Sequence, residues 1–348
     1  DNITFKMKRS PSMDMFRGFN IIQMEIAETF DDLDHAKYNE MKLNWADTIF
    51  PCFSFISGML LKQDKIIPIN KNIQLIGLGV TFNLIPTILE NKKFRPLGVL
   101  QRHGLSSILL NNLIPPSYRN NIIFPIALTT IWSLISKYLA NNTDKPFENE
   151  IYTAQQKIDS IFFKGRQYHD NFDPEGLLGA LMTTVTIWLG SWFISQNFNY
   201  KIIPFIGFSF ILFGRLLSNA FPNMYPVSKP LWTPSFTLQT TGYSILNYCI
   251  SNWLCLILPT SISNSIQLMG QYSLENYFFG ELLLVGLKES YVRSSGVTLW
   301  DKIKSFFKFK FPFTNIDMSP YIMTSIFNVV LLGFTHLCHW SHFKIRLF

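Results

Sequence analysis

The chain has 348 residues, of which 48% are hydrophobic and 16% aromatic, while only 15% are charged. A soluble domain usually carries about a quarter charged residues, so this composition argues against a soluble protein. The net charge of +7 does not indicate nucleic-acid binding, because the lysines and arginines lie in loops beside apolar stretches, where they contact lipid headgroups. We therefore predict an integral membrane protein without nucleic acid among its partners.

Apolar stretches of about 16–24 residues recur along the chain, and this is the length needed to cross a hydrocarbon core of about 30 Å. Lipid offers no partner to open backbone groups, so each spanning stretch is expected to be a helix. The predicted spans are 13–29, 46–61, 72–89, 97–114, 121–139, 176–196, 202–218, 235–258, 266–287 and 320–338. The sequence thus predicts an all-α fold, a polytopic transmembrane bundle of about ten spans.

Two polar segments, 140–175 and 288–319, interrupt this series of spans. Neither has the apolar content of an independent domain, so residues 1–348 are predicted to form a single transmembrane bundle domain. The two segments would then be extramembrane or interfacial loops. The run "DKIKSFFKFKFPF" (301–313) alternates lysine with phenylalanine, which is typical of a segment lying in the membrane interface.

Polar motifs stand at the starts of five predicted spans. They are "SMDMFRG" (12–18), "ADTIFPCFSFISG" (46–58), "RPLGVLQRHGL" (95–105), "FDPEGLL" (172–178) and "YPVSKPLWTPSF" (225–236). This series, in this order, resembles the heparan-α-glucosaminide N-acetyltransferase family over nearly the whole chain. The resemblance implies a membrane-embedded transfer of an acyl group from acyl-CoA to an amine or hydroxyl. Compared with the lysosomal enzyme, we expect a divergent member that lacks both the N-terminal lumenal domain and the one additional leading span.

The resemblance also implies candidate site residues. The family's histidine follows the first core span, and His35 stands at that place, ahead of Asp47. A neutral imidazole can take the acceptor's proton as the acceptor attacks the thioester, so His35 is the candidate general base, with Asp47 as the second catalytic candidate. Acetyl-CoA or another acyl-CoA is the cofactor if the protein is active. The candidate cofactor-binding residues are Arg17, Gln101, Arg102, Lys229 and Trp232.

These residues also have structural interpretations. Asp14 can cap the first span or pair with Arg17, and Arg102 can pair with Asp14 or Asp47 instead of binding a phosphate. Lys229 can extend to the headgroups, and Trp232 can belong to an interfacial belt. No metal site is predicted, since the histidines of "HLCHWSH" (336–342) fall at the end of the last span.

Three positions depart from the family's pattern near the expected chemistry. Glu28 replaces an asparagine at the end of the first span, Tyr38 replaces a tryptophan after the histidine, and Tyr272 replaces an amide in the ninth span. An amide can donate to a developing oxyanion, whereas an ionised carboxylate cannot. With these replacements, we expect His35 to face the membrane surface or a partner. Because an unpaired guanidinium is costly in hydrocarbon, we also expect Arg17 or Arg102 to have an acidic neighbour.

The favoured interpretation is a catalytically degenerate protein, a lipid-binding structural or accessory subunit of a larger membrane complex. Its partners would be membrane lipids and other membrane-protein subunits. A basic chain without a visible secretory signal favours the mitochondrial inner membrane, with a lysosomal or other endomembrane as the alternative location. The alternative function is an acyl-CoA-dependent transmembrane N- or O-acyltransferase with His35 as general base.

Overall fold

A computed structural model of the protein describes residues 10–30, 33–61, 68–90, 93–115, 118–119, 121–168, 172–290, 296–308 and 317–345. The regular structure of these residues is helical, which confirms the all-α prediction. The α-helices are α1 (Pro11–Thr29), α2 (Ile49–Met59), α3 (Ile69–Glu90), α4 (Val99–Asn111), α5 (Ile123–Tyr138), α6 (Ala154–Phe163), α7 (Gly179–Ser195), α8 (Ile203–Ala220), α9 (Pro234–Ile257), α10 (Thr260–Gln271), α11 (Ser273–Glu289), α12 (Leu299–Phe306) and α13 (Ser319–Trp340).

The helices follow the predicted spans closely, with one exception. The ninth predicted span, 266–287, is divided between α10 and α11. Tyr272 separates them: its amide donates to the carbonyls of Leu268 and Met269 and ends the first helix. Gln271 and Ser273 beside Tyr272 are polar, but apolar residues farther along on both sides continue the predicted span, so the prediction ran through the break.

Two helices of the described chain are long and apolar enough to cross a membrane, Tyr200–Ala220 and Ser319–Trp340. Two further apolar helices, Ile123–Tyr138 and Gly179–Ser195, are shorter. The count of about ten spans stays a prediction, although helices occupy the predicted positions.

The chain divides into two compact units. The terminal unit comprises Asp1–Asp34 and Ile250–Arg346, and the central unit comprises His35–Cys249 together with the last two residues, which lie outside the described part. Helix α9 contributes to both units, since the boundary falls between Cys249 and Ile250. The single bundle domain over residues 1–348 remains a prediction.

Each unit contains a close helix crossing made possible by a pair of glycines. In the terminal unit, a Cβ at Gly270 of α10 would overlap the backbone of α1 at Asp14. In the central unit, a Cβ at Gly58 of α2 would overlap the carbonyl of Ile187 on α7, and one at Gly190 would overlap that of Phe55. Small residues of this kind let helices approach closely where the surrounding lipid provides no hydrophobic driving force.

Helix α7 also binds α4 through side-chain hydrogen bonds. The hydroxyl of Ser106 donates to the carbonyl of Ala180 over 3.0 Å, and the hydroxyl of Thr184 donates to the carbonyl of Ser106 over 3.3 Å. These contacts and the glycine crossing hold α2, α4 and α7 together. Consequently, the polar segments that precede these three helices converge, and the candidate site lies among them.

Candidate active site

His35 lies in the loop before α2, and its imidazole is bound by Asp47. The Nδ1 atom is 2.9 Å from Oδ1 of Asp47, whose side chain is fully buried, while 49% of the His35 side chain is exposed. The other carboxylate oxygen, Oδ2, accepts hydrogen bonds from the amides of Ala36, over 3.2 Å, and Asn44, over 2.9 Å. Asp47 therefore orients the imidazole and closes the loop.

Tyr38 fixes the shape of this loop. Its hydroxyl donates to the carbonyl of Phe147 over 3.1 Å, and its buried ring meets that of Phe172 edge-on, with 5.4 Å between the centroids. Burial raises the pKa of Tyr38, so the phenol stays protonated and can donate. The tyrosine thus supports the loop without the family's tryptophan. The imidazole of His35 is bonded to Asp47 and is half exposed, so the expectation that it faces the membrane surface or a partner stays a prediction.

Lys229 completes a group that we name the His35 cluster, consisting of His35, Asp47 and Lys229. The ammonium nitrogen of Lys229 lies 3.0 Å from Nδ1 and 3.2 Å from Nε2 of His35, and 3.9 Å from Oδ1 of Asp47. Only 13% of the Lys229 side chain is exposed. The structure therefore brings together three of the residues that the sequence proposed, from segments up to 194 positions apart.

Trp232 connects Lys229 to Arg102. Its backbone amide donates to the carbonyl of Lys229 over 3.0 Å, and its φ of 50° lies in the left-handed region, which a bulky residue rarely adopts. The ring is fully buried between Phe50 and Phe236, each with its centroid 5.1 Å away. The Arg102 guanidinium lies 4.9 Å from the ring centroid, within range of a cation–π interaction.

Arg102 is bound by residues 172–177, which we name the strap. Its guanidinium is 3.1 Å from a carboxylate oxygen of Glu175, and it donates to the carbonyls of Pro174 over 2.7 Å and Gly176 over 3.2 Å. The predicted acidic neighbour is therefore present, but it is Glu175 and not Asp14 or Asp47. In the terminal unit, Arg17 pairs with Asp14 at 3.4 Å, as expected.

Arg95 makes a second, bidentate ion pair with the strap. Its Nε and Nη2 atoms donate to the two carboxylate oxygens of Asp173 over 2.8 and 2.5 Å. Asp173 also accepts from the amides of Tyr168, over 3.1 Å, and Glu175, over 2.9 Å. Burial disfavours the charge of Arg95, but the neighbouring Asp173 outweighs it and raises the pKa of the guanidinium.

Asp159 of α6 binds the end of the strap. Its Oδ1 accepts from the amide of Leu177 over 2.9 Å, whereas its buried Oδ2 has no hydrogen-bond partner within the described ranges. A Cβ at Gly176 would overlap this oxygen, so the close approach requires a glycine. Burial, helped by the charge of Asp173, raises the pKa of Asp159 to about 7 against the effects of the Leu177 amide and Arg102.

Sequence reasoning missed both Arg95 and Asp159. Arg95 begins the motif "RPLGVLQRHGL" and could have been found there, whereas Asp159 lies in a polar helix without a distinguishing pattern. Of the remaining candidates, Gln101 is buried in the central unit against Gly79 and Gly98. Its Nε2 has no hydrogen-bond partner among the residues that the structure describes.

The three remaining residues singled out by sequence, Arg17, Glu28 and Tyr272, belong to the terminal unit. The carbonyl of Glu28 accepts from the Lys288 ammonium over 3.0 Å, and the Tyr272 hydroxyl is 3.4 Å from Nδ1 of His339. The contacts that assemble the His35 cluster and the strap come from the central unit.

Residues 9–163 match the model of the family described as heparan-alpha-glucosaminide N-acetyltransferase, catalytic. The matched range includes His35, Asp47, Arg95 and Arg102, and it ends before the strap and Lys229. No curated protein matches the chain. The family is membrane-embedded and uses acetyl-CoA as acetyl donor. Residues 9–163, somewhat less than half of the chain, are thus similar to the catalytic region of the heparan-α-glucosaminide N-acetyltransferase family.

Proposed function

We propose that this protein is a transmembrane acyltransferase that moves the acyl group of acetyl-CoA or another acyl-CoA to an amine or hydroxyl, with His35 as general base. The observation that carries the proposal is the hydrogen bond between His35 Nδ1 and buried Asp47, beside an imidazole that is half exposed. A base needs a fixed orientation and access to substrate, and this arrangement supplies both.

The surroundings of Asp47 determine which nitrogen of His35 is the base. An ionised carboxylate only accepts hydrogen bonds, and Oδ2 of Asp47 already accepts two backbone amides. The proton of the neutral imidazole is therefore on Nδ1, where it is donated to Oδ1, and the lone pair is on Nε2. An acceptor that attacks the thioester carbon would pass its proton to Nε2, and the imidazolium would return it to the departing CoA thiolate.

The family's use of acetyl-CoA and the position of the candidate residues support acyl-CoA as donor. Lys229 and Trp232 lie at the His35 cluster, so they are the best-supported contacts for the cofactor. The charge of Arg102 is matched by Glu175, so binding a CoA phosphate would require Arg102 to exchange this partner. Arg17 and Gln101 remain proposed contacts on the sequence alone.

A second candidate function is a lipid-binding accessory subunit of a membrane complex, with catalysis lost and the mitochondrial inner membrane as the favoured location. The observation that favours it is the polar environment of the proposed base: Lys229 lies beside both ring nitrogens, and Glu28 stands where the family has an amide. Such a subunit would be isolated with membrane-protein partners at fixed stoichiometry.

Thermal unfolding in detergent with increasing acetyl-CoA tests the proposal. A ligand that binds only the folded state stabilises it by about 2.7 kcal/mol at a concentration one hundred times its Kd, so the melting temperature should rise. Release of the CoA thiol with a panel of amines and alcohols then measures transfer. His35→Ala is the matched control, which should keep the thermal shift and lose the transfer. A melting temperature that stays constant at saturating acetyl-CoA contradicts the acyltransferase and favours the accessory subunit.

A further inference from the structure

Glu25 is a buried carboxyl of the terminal unit that the proposed chemistry does not use. It lies on α1 with 1% of its surface exposed, and its Oε1 has no hydrogen-bond partner among the described residues. None of the ion pairs found within the described ranges includes it. An ionised carboxylate without a donor or a cation is strongly disfavoured at a buried position of a predicted span.

The charged groups that act on Glu25 are two further carboxyls. Glu28 lies one helical turn further along α1, and Glu281 comes from α11. A Cβ at Gly280, beside Glu281, would lie 2.6 Å from Oε1 of Glu25, so the buried carboxyl packs directly against α11. Neighbouring carboxylates disfavour one another's ionisation, so a proton is the ligand that this buried oxygen requires.

Within the described terminal unit, the helices packed on α1 bring no cation to Glu25. Helix α10 contains no charged residue. Helix α13 contacts this part of α1 through the hydrogen bond of 2.8 Å between the hydroxyls of Thr29 and Thr324, and its histidines lie at the far end of the helix. On α11, Lys288 is exposed and donates to the carbonyl of Glu28 over 3.0 Å. The nearest cation therefore lies at the outer end of the group, and Glu25 lies at the inner end.

We propose that Glu25 is a proton-binding site of the terminal unit, loaded from the surface through Glu28 and Glu281. Glu28 lies in the last turn of α1 and is partly exposed, Glu281 interacts electrostatically with both carboxyls of α1, and Glu25 is buried. The three carboxyls thus form a series from the helix end to the interior, as in the proton relays of membrane proteins. Only O–H bonds form and break as the proton passes from one carboxyl to the next. The site does not depend on the proposed acyltransferase function.

Infrared spectroscopy of the protein in detergent tests whether Glu25 holds a proton. A protonated carboxyl gives a C=O stretching band that a carboxylate lacks, and an ordinary glutamate is protonated in only about one molecule in 500 at pH 7. The difference spectrum between the parent protein and Glu25→Gln should therefore show this band at pH 7. Glutamine resembles the protonated carboxyl in shape, so the variant should fold and keep the parent's melting temperature. A folded Glu25→Gln protein with the same carboxyl band as its parent would overturn the proposal.

Exchange into D₂O tests the loading path, because the carboxyl band shifts when deuterium replaces the proton. Glu281→Gln removes the middle carboxyl and should slow this shift of the Glu25 band. Glu289→Gln, at the exposed end of the same helix, is the matched control and should exchange at the parent's rate. Exchange at the parent's rate in Glu281→Gln would refute loading through Glu281. A band that is lost when Na⁺ replaces K⁺ at constant pH and ionic strength would assign the site to a cation and overturn the proposal.

Discussion

The strap and the His35 cluster are both polar groups of the central unit, but they distribute charge differently. In the strap, Arg95 and Arg102 each have a carboxylate partner, and Arg102 also donates to two backbone carbonyls. In the His35 cluster, one carboxylate serves two basic side chains, and half of the imidazole is exposed. Buried ion pairs hold a structure in place, because removing one partner leaves an uncompensated charge, whereas a partly exposed base can react. We therefore propose a stabilising role for the strap and a chemical role for the His35 cluster.

The largest expected effect on the free energy of unfolding comes from breaking an ion pair in the strap. Asp173→Ala should lower the free energy of unfolding by about 3–5 kcal/mol, because Arg95 stays largely buried without its carboxylate and two amides lose their acceptor. Thermal unfolding in detergent measures the change. The double substitution Arg95→Met, Asp173→Leu is the control and should recover much of the stability, since it removes both charges. An Asp173→Ala protein as stable as its parent would contradict a structural role for the strap.

The next effect is a dependence of stability on pH caused by Asp159. Its pKa is raised from 3.8 to about 7 in the folded protein, so between these values the folded state binds more protons than the unfolded state. Stability contributed by this group is therefore greatest at low pH and is lost as pH rises toward 7. Each pH unit in this window changes the free energy by about 1.4 kcal/mol, so raising pH from 5.5 to 7 costs about 2 kcal/mol.

Asp159→Asn is the matched variant for this prediction. The side-chain oxygen of asparagine can still accept the Leu177 amide, but the group no longer ionises. Melting temperatures of both proteins, recorded from pH 5.5 to 8, should diverge as pH rises, with the variant gaining relative stability. Parallel curves would show that Asp159 does not titrate in this range and that its buried oxygen has a different partner.

The smallest effect on stability is expected in the His35 cluster. His35→Ala should change the free energy of unfolding by about 0.5 kcal/mol or less, because the histidine is half exposed and Asp47 keeps its two amide donors. The same substitution should lower acyl transfer by about 10²–10⁴-fold, the usual contribution of a general base. A large loss of stability would place His35 with the strap as a structural residue and remove the contrast between the two regions.

The sequence predicted the helices well because apolar length is a local property. Composition and span length placed most helices, and the resemblance placed His35 and Asp47 at the site. The break at Tyr272 was missed because the length of the predicted span outweighed the polar residues Gln271 and Ser273 beside it. A helix can end without a glycine or proline at the break when a single residue leaves the helical conformation.

The partners of the charged residues were harder to predict. Arg102 was expected to bind Asp14, Asp47 or a phosphate, and it pairs with Glu175. Arg95 pairs with Asp173, 78 positions away. Pairing over such distances depends on which helices pack together, and here the packing of α4 on α7 brings the two segments together. A single sequence contains no local signal for that choice.

The long separations within these ion pairs have a consequence for biosynthesis. A ribosome adds about 5–20 residues per second, so Asp173 follows Arg95 by roughly 4–16 s and Lys229 follows His35 by roughly 10–40 s. Until its carboxylate emerges, Arg95 must stay in water or among headgroups, because an unpaired guanidinium is costly in hydrocarbon. Nascent chains that end before residue 173 therefore lack the carboxylate that pairs with this arginine in the folded protein.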